Sequence, residues 1–314
     1  MFISQAGYYY PAIKIPNSYF ATLNGLSDDW IVERTGIKER RKAGEEENTN
    51  TMAVQAIRAL QENSGDDLKD VDLIVGGTYS PYDTVVTLAH IVQHYLDLDD
   101  VPAVSVSSAC STFLNSMEIV EGYFATNKAK KAIVVLSEHN TAYNNEHDTK
   151  SGHLWGDGST AFLVSKERLS ESDAEIKEII TKGAANVGKG IEGVMLKPAN
   201  GGINMPNGKD VFINAIQYMS SVTKSVLERN GYSLEDLRYL VPHQANLRIT
   251  KNVAQNLGLS EDRALSNIQY LGNTGCAGSG IALAEHWNEF VEGDVIVVTV
   301  FGGGYSYGAM LLTK

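Results

Sequence analysis

The chain has 314 residues, enough for one or two domains with a sizeable core, and its 43% hydrophobic and 20% charged content argues against disorder. A formal charge of −12, from 26 basic and 38 acidic residues, speaks against a general nucleic-acid surface and confines any anionic partner to a local basic patch. No stretch reaches the ~18 uninterrupted apolar residues of a membrane span, residues 1–10 lack a basic region followed by an apolar run, and two cysteines, Cys110 and Cys276, are too few for a disulfide framework; a cytoplasmic enzyme with reduced thiols and no membrane contact is expected.

In chain order, the aromatic run Tyr8 to Tyr10 reads as a strand or a dimer surface. Arg34, Lys38, Arg40, Arg41 and Lys42, diluted by Glu39 and residues 45–47, read either as a local anion-binding patch or as a solvated charge run. A helix is predicted over 51–62, a strand over 72–77 and a second helix over 84–96. Residues 104–117 read as a buried strand entering an amphipathic helix with Cys110 at the junction, because Phe113, Leu114, Met117, Val120 and Phe124 recur at spacings of three and four. A helix N-terminus carries roughly half a positive charge, so its free amides are expected to pull the Cys110 thiol below the ordinary value of about 8.5. The turn also makes the exposed elbow that hydrolase nucleophiles use. A strand over 132–136 closes the unit. His139, His147 and His153, with Glu146 and Asp148, fit no metal-ligand spacing and are expected in a polar loop.

Beyond a polar link at 166–173 the plan repeats: a helix over 211–229, a strand over 238–241, a helix over 245–257, a junction at 272–275 and a strand over 295–300. Two halves, 1–170 and 171–314, are therefore expected to be duplicated βαβ-type units with largely parallel sheets covered on both faces. Because the Cys110 junction corresponds to 272–275, pseudo-symmetry brings both to one central cleft at the strand ends. No Gly-x-Gly-x-x-Gly follows the first strand, so a dinucleotide site is not expected. His243 falls between strand and helix, and Asn273 in the second junction. A thiolate, a neutral imidazole and a carboxamide can divide thioester chemistry, the cysteine forming the thioester and the two donors stabilising an enolate oxygen. Singly, such a histidine reads as a structural residue and such an asparagine as a tight turn; together they discriminate.

Asp29-Trp30-Ile31-Val32-Glu33-Arg34-Thr35-Gly36, Ser108-Ala109-Cys110, Gly156-Asp157-Gly158, Val241-Pro242-His243-Gln244-Ala245-Asn246-Leu247-Arg248, Gly272-Asn273-Thr274 and Phe301-Gly302-Gly303-Gly304 carry a resemblance nearly end to end to the β-ketoacyl-acyl carrier protein synthases of type III, in the thiolase superfamily. The resemblance implies an α/β thiolase-like fold of two duplicated halves layered αβαβα, the first carrying the nucleophile and the second the histidine and asparagine. It implies that Cys110 takes an acyl group from acyl-CoA and condenses it with malonyl-acyl carrier protein, losing carbon dioxide, in fatty acid or related biosynthesis. On matched positions Cys110, His243 and Asn273 are catalytic, the amides of Cys110 and Gly303 form the oxyanion hole, Trp30 and Arg34 bind CoA, and Arg248 contacts the carrier protein. No metal or cofactor is implied beyond acyl-CoA as substrate, and a homodimer is implied, its pocket closed partly by residues 79–87 of the other subunit. Three positions depart from the pattern. Ser111-Thr112 stands where Ala-Gly is usual, Gly275-Cys276-Ala277-Gly278 where Ser-Ala-Ala is common, and the usual arginine before Gly156 is missing, Lys150 being the nearest cation; extra hydroxyls beside the sulfur are expected to alter the acyl pocket. The rivals are an acyltransferase passing the acyl group to a hydroxyl, an amine or water, and a non-catalytic acyl-binding partner. A thiolase would need a second cysteine in the 301–305 loop, which has none.

Overall fold

The computed structural model describes residues 1–314. The first half of the chain forms β1 (Phe2–Tyr9), β2 (Ile13–Pro16), α1 (Asn17–Asn24), α2 (Asp28–Thr35), β3 (Glu39–Lys42), α3 (Thr49–Ser64), β4 (Leu73–Gly77), α4 (Leu88–Tyr95), β5 (Ala103–Val106), α5 (Thr112–Ala125), β6 (Lys131–His139) and β7 (Asp157–Ser165). The second half forms β8 (Ala174–Gly183), α6 (Gly190–Gly193), β9 (Met195–Lys197), β10 (Gly202–Asn204), α7 (Gly208–Arg229), β11 (Leu237–Pro242), α8 (Leu247–Asn256), α9 (Ile268–Leu271), α10 (Ala277–Glu285), β12 (Val295–Gly302) and β13 (Ser306–Thr313). No helix is long and apolar enough to cross a membrane.

Nine strands lie in the order β11-β12-β13-β8-β1-β7-β6-β4-β5, the two sets meeting only through Phe2↔Glu175 and Ile3↔Ala174. Strand side chains alternate between faces, and the alternation builds the layers. Leu73, Val75, Val134, Leu136, Val298 and Val300 pack on α5 and α10 in a central core. Their neighbours Ile74, Ile133 and Val135 pack under α3 and α4, and Val295 and Val297 under α7 and α8. The result is the expected αβαβα stack. The sheet is not largely parallel, however: only β11–β12, β4–β5 and β4–β6 run parallel, and the remaining pairs are antiparallel. A parallel pair needs a crossover of a dozen or more residues, whereas β12 turns into β13 within residues 303–305. The predicted helix over 84–96 begins only at Leu88, because Asp83 Oδ1 accepts the amides of Val85 and Val86, 2.7 and 2.9 Å away, and holds 83–86 in a turn.

Candidate active site

The cysteine elbow is tighter than a strand running straight into a helix. β5 is a half-buried edge strand that stops at Val106, Ala109 takes the left-handed conformation at φ +50°, and α5 starts at Thr112. Thr112 Oγ1 accepts from the Ser108 amide at 2.9 Å and donates to the Ala109 carbonyl at 2.6 Å, which locks this turn. Ser306 Oγ lies 2.8 Å from Ser111 Oγ. The Ser111 and Thr112 hydroxyls therefore brace the backbone and do not line the acyl pocket, contrary to expectation.

Cys110, His243, Asn273 and Gly303 line one cavity of about 260 Å³. A Cβ on Gly302 would lie 2.8 Å from the Cys110 nitrogen, so glycine is what lets the 302–304 loop reach the elbow. The amides of Gly303 and Cys110 both face the Cys110 sulfur. Even so, burial, reinforced by the charge of Glu138, pushes the thiol up to about 12. The expectation of a lowered value is overturned: a helix terminus contributes about 0.3–1 kcal/mol, while desolvation of a buried group moves its pKa by up to several units. Alkylation of Cys110 by iodoacetamide, followed by intact mass, is thus expected to accelerate about tenfold per pH unit from pH 7 to 10 without a plateau; a plateau near pH 7 would show a resting thiolate.

His243 follows β11, its amide donating to the Thr299 carbonyl at 2.8 Å. Gln244 pins the turn, its Nε2 donating to Pro242 and Leu265 carbonyls and its Oε1 accepting the Asn267 amide. Burial pushes His243 down to about 4, so the ring is neutral at physiological pH. Its Nδ1 has no partner within the chain. Asn273 is fixed from both sides: its amide donates to Leu154 at 2.8 Å, its carbonyl accepts from Gly156 at 3.0 Å, and its Oδ1 accepts the Gly275 amide at 3.0 Å. The last bond decides the flip of the carboxamide and leaves Nδ2 as the free donor at the cavity.

Glu138 has no counterpart in the expectations above. It is fully buried at the end of β6 and accepts from the Ser80 hydroxyl, the Thr78 hydroxyl at 3.1 Å and the amides of Ser80, Tyr79 and Cys276. It ties the 78–80 segment to the loop after Asn273. The signal in the sequence was an acid two residues past the apolar run 132–136. Burial raises its carboxyl to about 7, so its favourable ionised state is opposed by desolvation and the stability it contributes falls as pH rises from the ordinary 4.5 through 7. Glu138→Gln removes this titration and sets an NH₂ against these donors; it is expected to destabilise the fold by about 1–3 kcal/mol at pH 5 and by less at pH 8, read from urea midpoints; an unchanged midpoint at pH 5 would contradict the clamp.

Trp30 and Arg34 lie outside the cavity on α2, the Arg34 guanidinium 4.5 Å from the Trp30 ring centroid. The Arg34 carbonyl accepts Asn246 Nδ2 at 3.0 Å, so the end of α2 abuts the turn that follows His243. Arg248 is exposed on α8 and also outside the cavity, its guanidinium 5.6 Å from the Phe212 ring centroid. The run at 34–42 divides, with Arg34 and Lys38 exposed and the other three engaged within the chain. Arg40 is buried and donates to Ile15 O, Asn17 Oδ1 and His153 O, Arg41 stacks on Tyr10, and Lys42 pairs with Glu146. His153 is buried against Phe20 and Trp30 instead of lying in a polar loop, and no cluster of three or more His, Cys, Asp or Glu could hold a metal ion. Tyr79 lines the cavity of its own chain, while Tyr82, Val85 and Val86 of the same loop are 68%, 79% and 49% exposed.

A duplicated αβαβα fold with a helix-head cysteine, a histidine and an asparagine on one central cavity defines the class as a thiolase-like enzyme. Comparison narrows it. The model described as 3-Oxoacyl-[acyl-carrier-protein (ACP)] synthase III matches residues 104–183, and the model of that family's C-terminal part matches residues 227–314. The chain is similar to the β-ketoacyl-[acyl-carrier-protein] synthase III of Clostridium beijerinckii, 33% identical and covering 99% of this chain and 98% of that protein. Among solved structures it is similar to the 3-oxoacyl-[acyl-carrier-protein] synthase III of Aquifex aeolicus VF5, with TM-score 0.93, 32% identity, and coverage of 100% of this chain and 99% of the other. The corresponding enzyme of Thermus thermophilus gives TM-score 0.93 at 29% identity, with the same coverage. The chain belongs to the 3-oxoacyl-[acyl-carrier-protein] synthase III family.

Proposed function

We propose that the chain condenses an acyl primer, taken from acyl-CoA, with malonyl-acyl carrier protein to give a β-ketoacyl-acyl carrier protein. The observation that carries this reading is the convergence of Cys110, His243 and the free Nδ2 of Asn273 on one cavity, with the Gly303 and Cys110 amides facing the sulfur. In the first step Sγ attacks the acyl-CoA carbonyl, the oxyanion is held by those two amides, and CoA leaves with the thiol proton. A neutral thiol needs that proton removed as it attacks, and the neutral His243 ring is the acceptor in reach of the same cavity. In the second step His243 and Asn273 hydrogen-bond the malonyl thioester carbonyl, carbon dioxide departs, and the enolate carbon attacks the acyl-cysteine, returning Cys110. The departing carboxylate supplies the carbanion electrons, so no further base is required.

The same reading gives Trp30 and Arg34 to the nucleotide of CoA and Arg248 to the acidic carrier, and treats 1–170 and 171–314 as the two half-units. The exposed apolar loop at Tyr82, Val85 and Val86 supports a homodimer; a monomer by sedimentation equilibrium at micromolar protein would refute it. Cys276 offers no thiolase chemistry, its sulfur being fully buried and facing the Gly77 carbonyl. Incubation with acyl-CoAs, then with malonyl-acyl carrier protein, tests the function by intact mass. An acyl adduct that leaves as β-ketoacyl product supports condensation, release to water or another acceptor supports the acyltransferase, and no adduct supports the non-catalytic partner.

A further inference from the structure

Two stretches of the cavity wall lie far apart in sequence. Val194, Met195 and Leu196 belong to the segment that runs from α6 into β9, and Phe301, Gly302 and Gly303 to the end of β12 and the loop beyond it. One carboxylate outside the cavity joins them. Asp210 sits in the first turn of α7, and its Oδ2 accepts the Lys189 amide at 2.8 Å, the Tyr305 hydroxyl at 2.7 Å and Asn214 Nδ2 at 3.2 Å. The Lys189 amide, followed by the Tyr305 hydroxyl, holds the Asp210 carboxyl below the usual carboxylate range, so the acceptor is ionised at neutral pH.

The elements approach closely here. A Cβ on Gly188, at φ +50°, would lie 2.5 Å from Asp210 Oδ2, and one on Gly193 would lie 2.8 Å from the Tyr305 ring, so glycine at both places lets the chain around α6 close on the carboxylate and the phenol. Tyr305 is 2% exposed, its ring centroid 4.8 Å from that of Phe301, and its carbonyl accepts the Ala184 amide at 2.9 Å. Between these two aromatic residues stand only Gly302, Gly303 and Gly304. Such a stretch has no side chain to anchor it, and glycine loses more freedom on ordering than any other residue. The β12–β13 ladder holds it as far as the Gly302↔Ser306 pair. Beyond that pair the anchor is Tyr305, while the Gly303 amide faces the Cys110 sulfur.

Resting on the condensing reading above, we propose that Asp210 and Tyr305 are positioning residues for acyl transfer: their hydrogen bond fixes the 302–305 loop against α6 and α7 and so holds the Gly303 amide where the oxyanion forms. Neither side chain lines the cavity, so both act through Gly303 and not on substrate. His243 and Asn273 come from the ends of β11 and α9, outside this junction. The malonyl decarboxylation that they promote therefore does not depend on it.

The test measures single-turnover loading of Cys110 by intact mass, from acetyl-, isobutyryl- and octanoyl-CoA, and carbon dioxide release from malonyl-acyl carrier protein without primer, on one preparation. Tyr305→Phe removes the hydroxyl and keeps the ring. At saturating donor it is expected to slow loading roughly tenfold and to leave decarboxylation within about twofold; the loss is smaller than the 10²–10³-fold of a donor removed outright because the Gly303 amide is still present. Asp210→Ala is expected to slow loading at least as much, and the double variant to be no slower than Asp210→Ala, since both changes break one bond. Tyr305→Phe decides the matter even where Asp210→Ala does not fold. Unchanged loading in Tyr305→Phe, or equal losses of loading and decarboxylation, would overturn the positioning role and leave the condensing reading standing. Loading of the unaltered protein from none of the three donors overturns both.

Discussion

Cys110→Ala is expected to show no acyl adduct with any acyl-CoA and to lose condensation by at least about 10³-fold, while decarboxylation of malonyl-acyl carrier protein continues. The first half of that result follows from there being no other thiol at the cavity. Cys276 is fully buried and its sulfur faces Gly77. Water cannot substitute for the sulfur, since a condensing reaction needs a covalent acyl group held while the second substrate arrives. The second half follows from the division of labour: the groups that favour the enolate, His243 and Asn273, come from other loops and do not depend on the sulfur. Folding should survive. Cys110 is 8% exposed and loses one atom, a change within the ordinary range of about 1 kcal/mol, so an unchanged melting temperature separates lost chemistry from lost structure. Persistent acyl adducts on the variant would move the nucleophile elsewhere.

Asn273→Asp should do the converse, with Cys110 still loading and condensation falling by about 10²–10³-fold, the range seen when one preorganised donor is removed. The substitution is chosen because Asn273 has two jobs. Its Oδ1 accepts the Gly275 amide and shapes the left-handed turn at φ +58°, which aspartate preserves, whereas alanine would not. Its Nδ2 is the free donor, which aspartate replaces with a negative oxygen facing the enolate. Single-turnover measurement of loading and of carbon dioxide release on one preparation distinguishes the two steps. Equal loss of both would mean that the residue serves the loop alone.

Both expectations depend on residues that are legible in the sequence, because they fall at junctions where one periodicity changes to another. Cys110 stands between a strand and the three-and-four pattern of α5, and Asn273 stands in a glycine-rich turn ahead of α10. The wrong boundaries have local causes. The 84–87 segment carries a helical pattern, yet Asp83 captures two of its amides and Thr87 stays extended at ψ 166°. The antiparallel strands β7, β8 and β13 were missed because their apolar residues fill both faces and show no clean alternation: every residue of β7 is buried.

The duplication and the three residue types that meet at the cavity are written in short-range patterns of apolar spacing and junction chemistry, while the αβαβα layering was implied by the resemblance of the motifs. The protonation of Cys110, the role of Glu138 and the fate of the basic run at 34–42 emerge from packing. Those depend on which groups lose water and which partners, distant in the chain, replace it; Arg40 finds the His153 carbonyl, 113 residues on, and Glu138 the Ser80 amide, 58 residues back. Desolvation is a property of the packed whole, and no local pattern of residues encodes it.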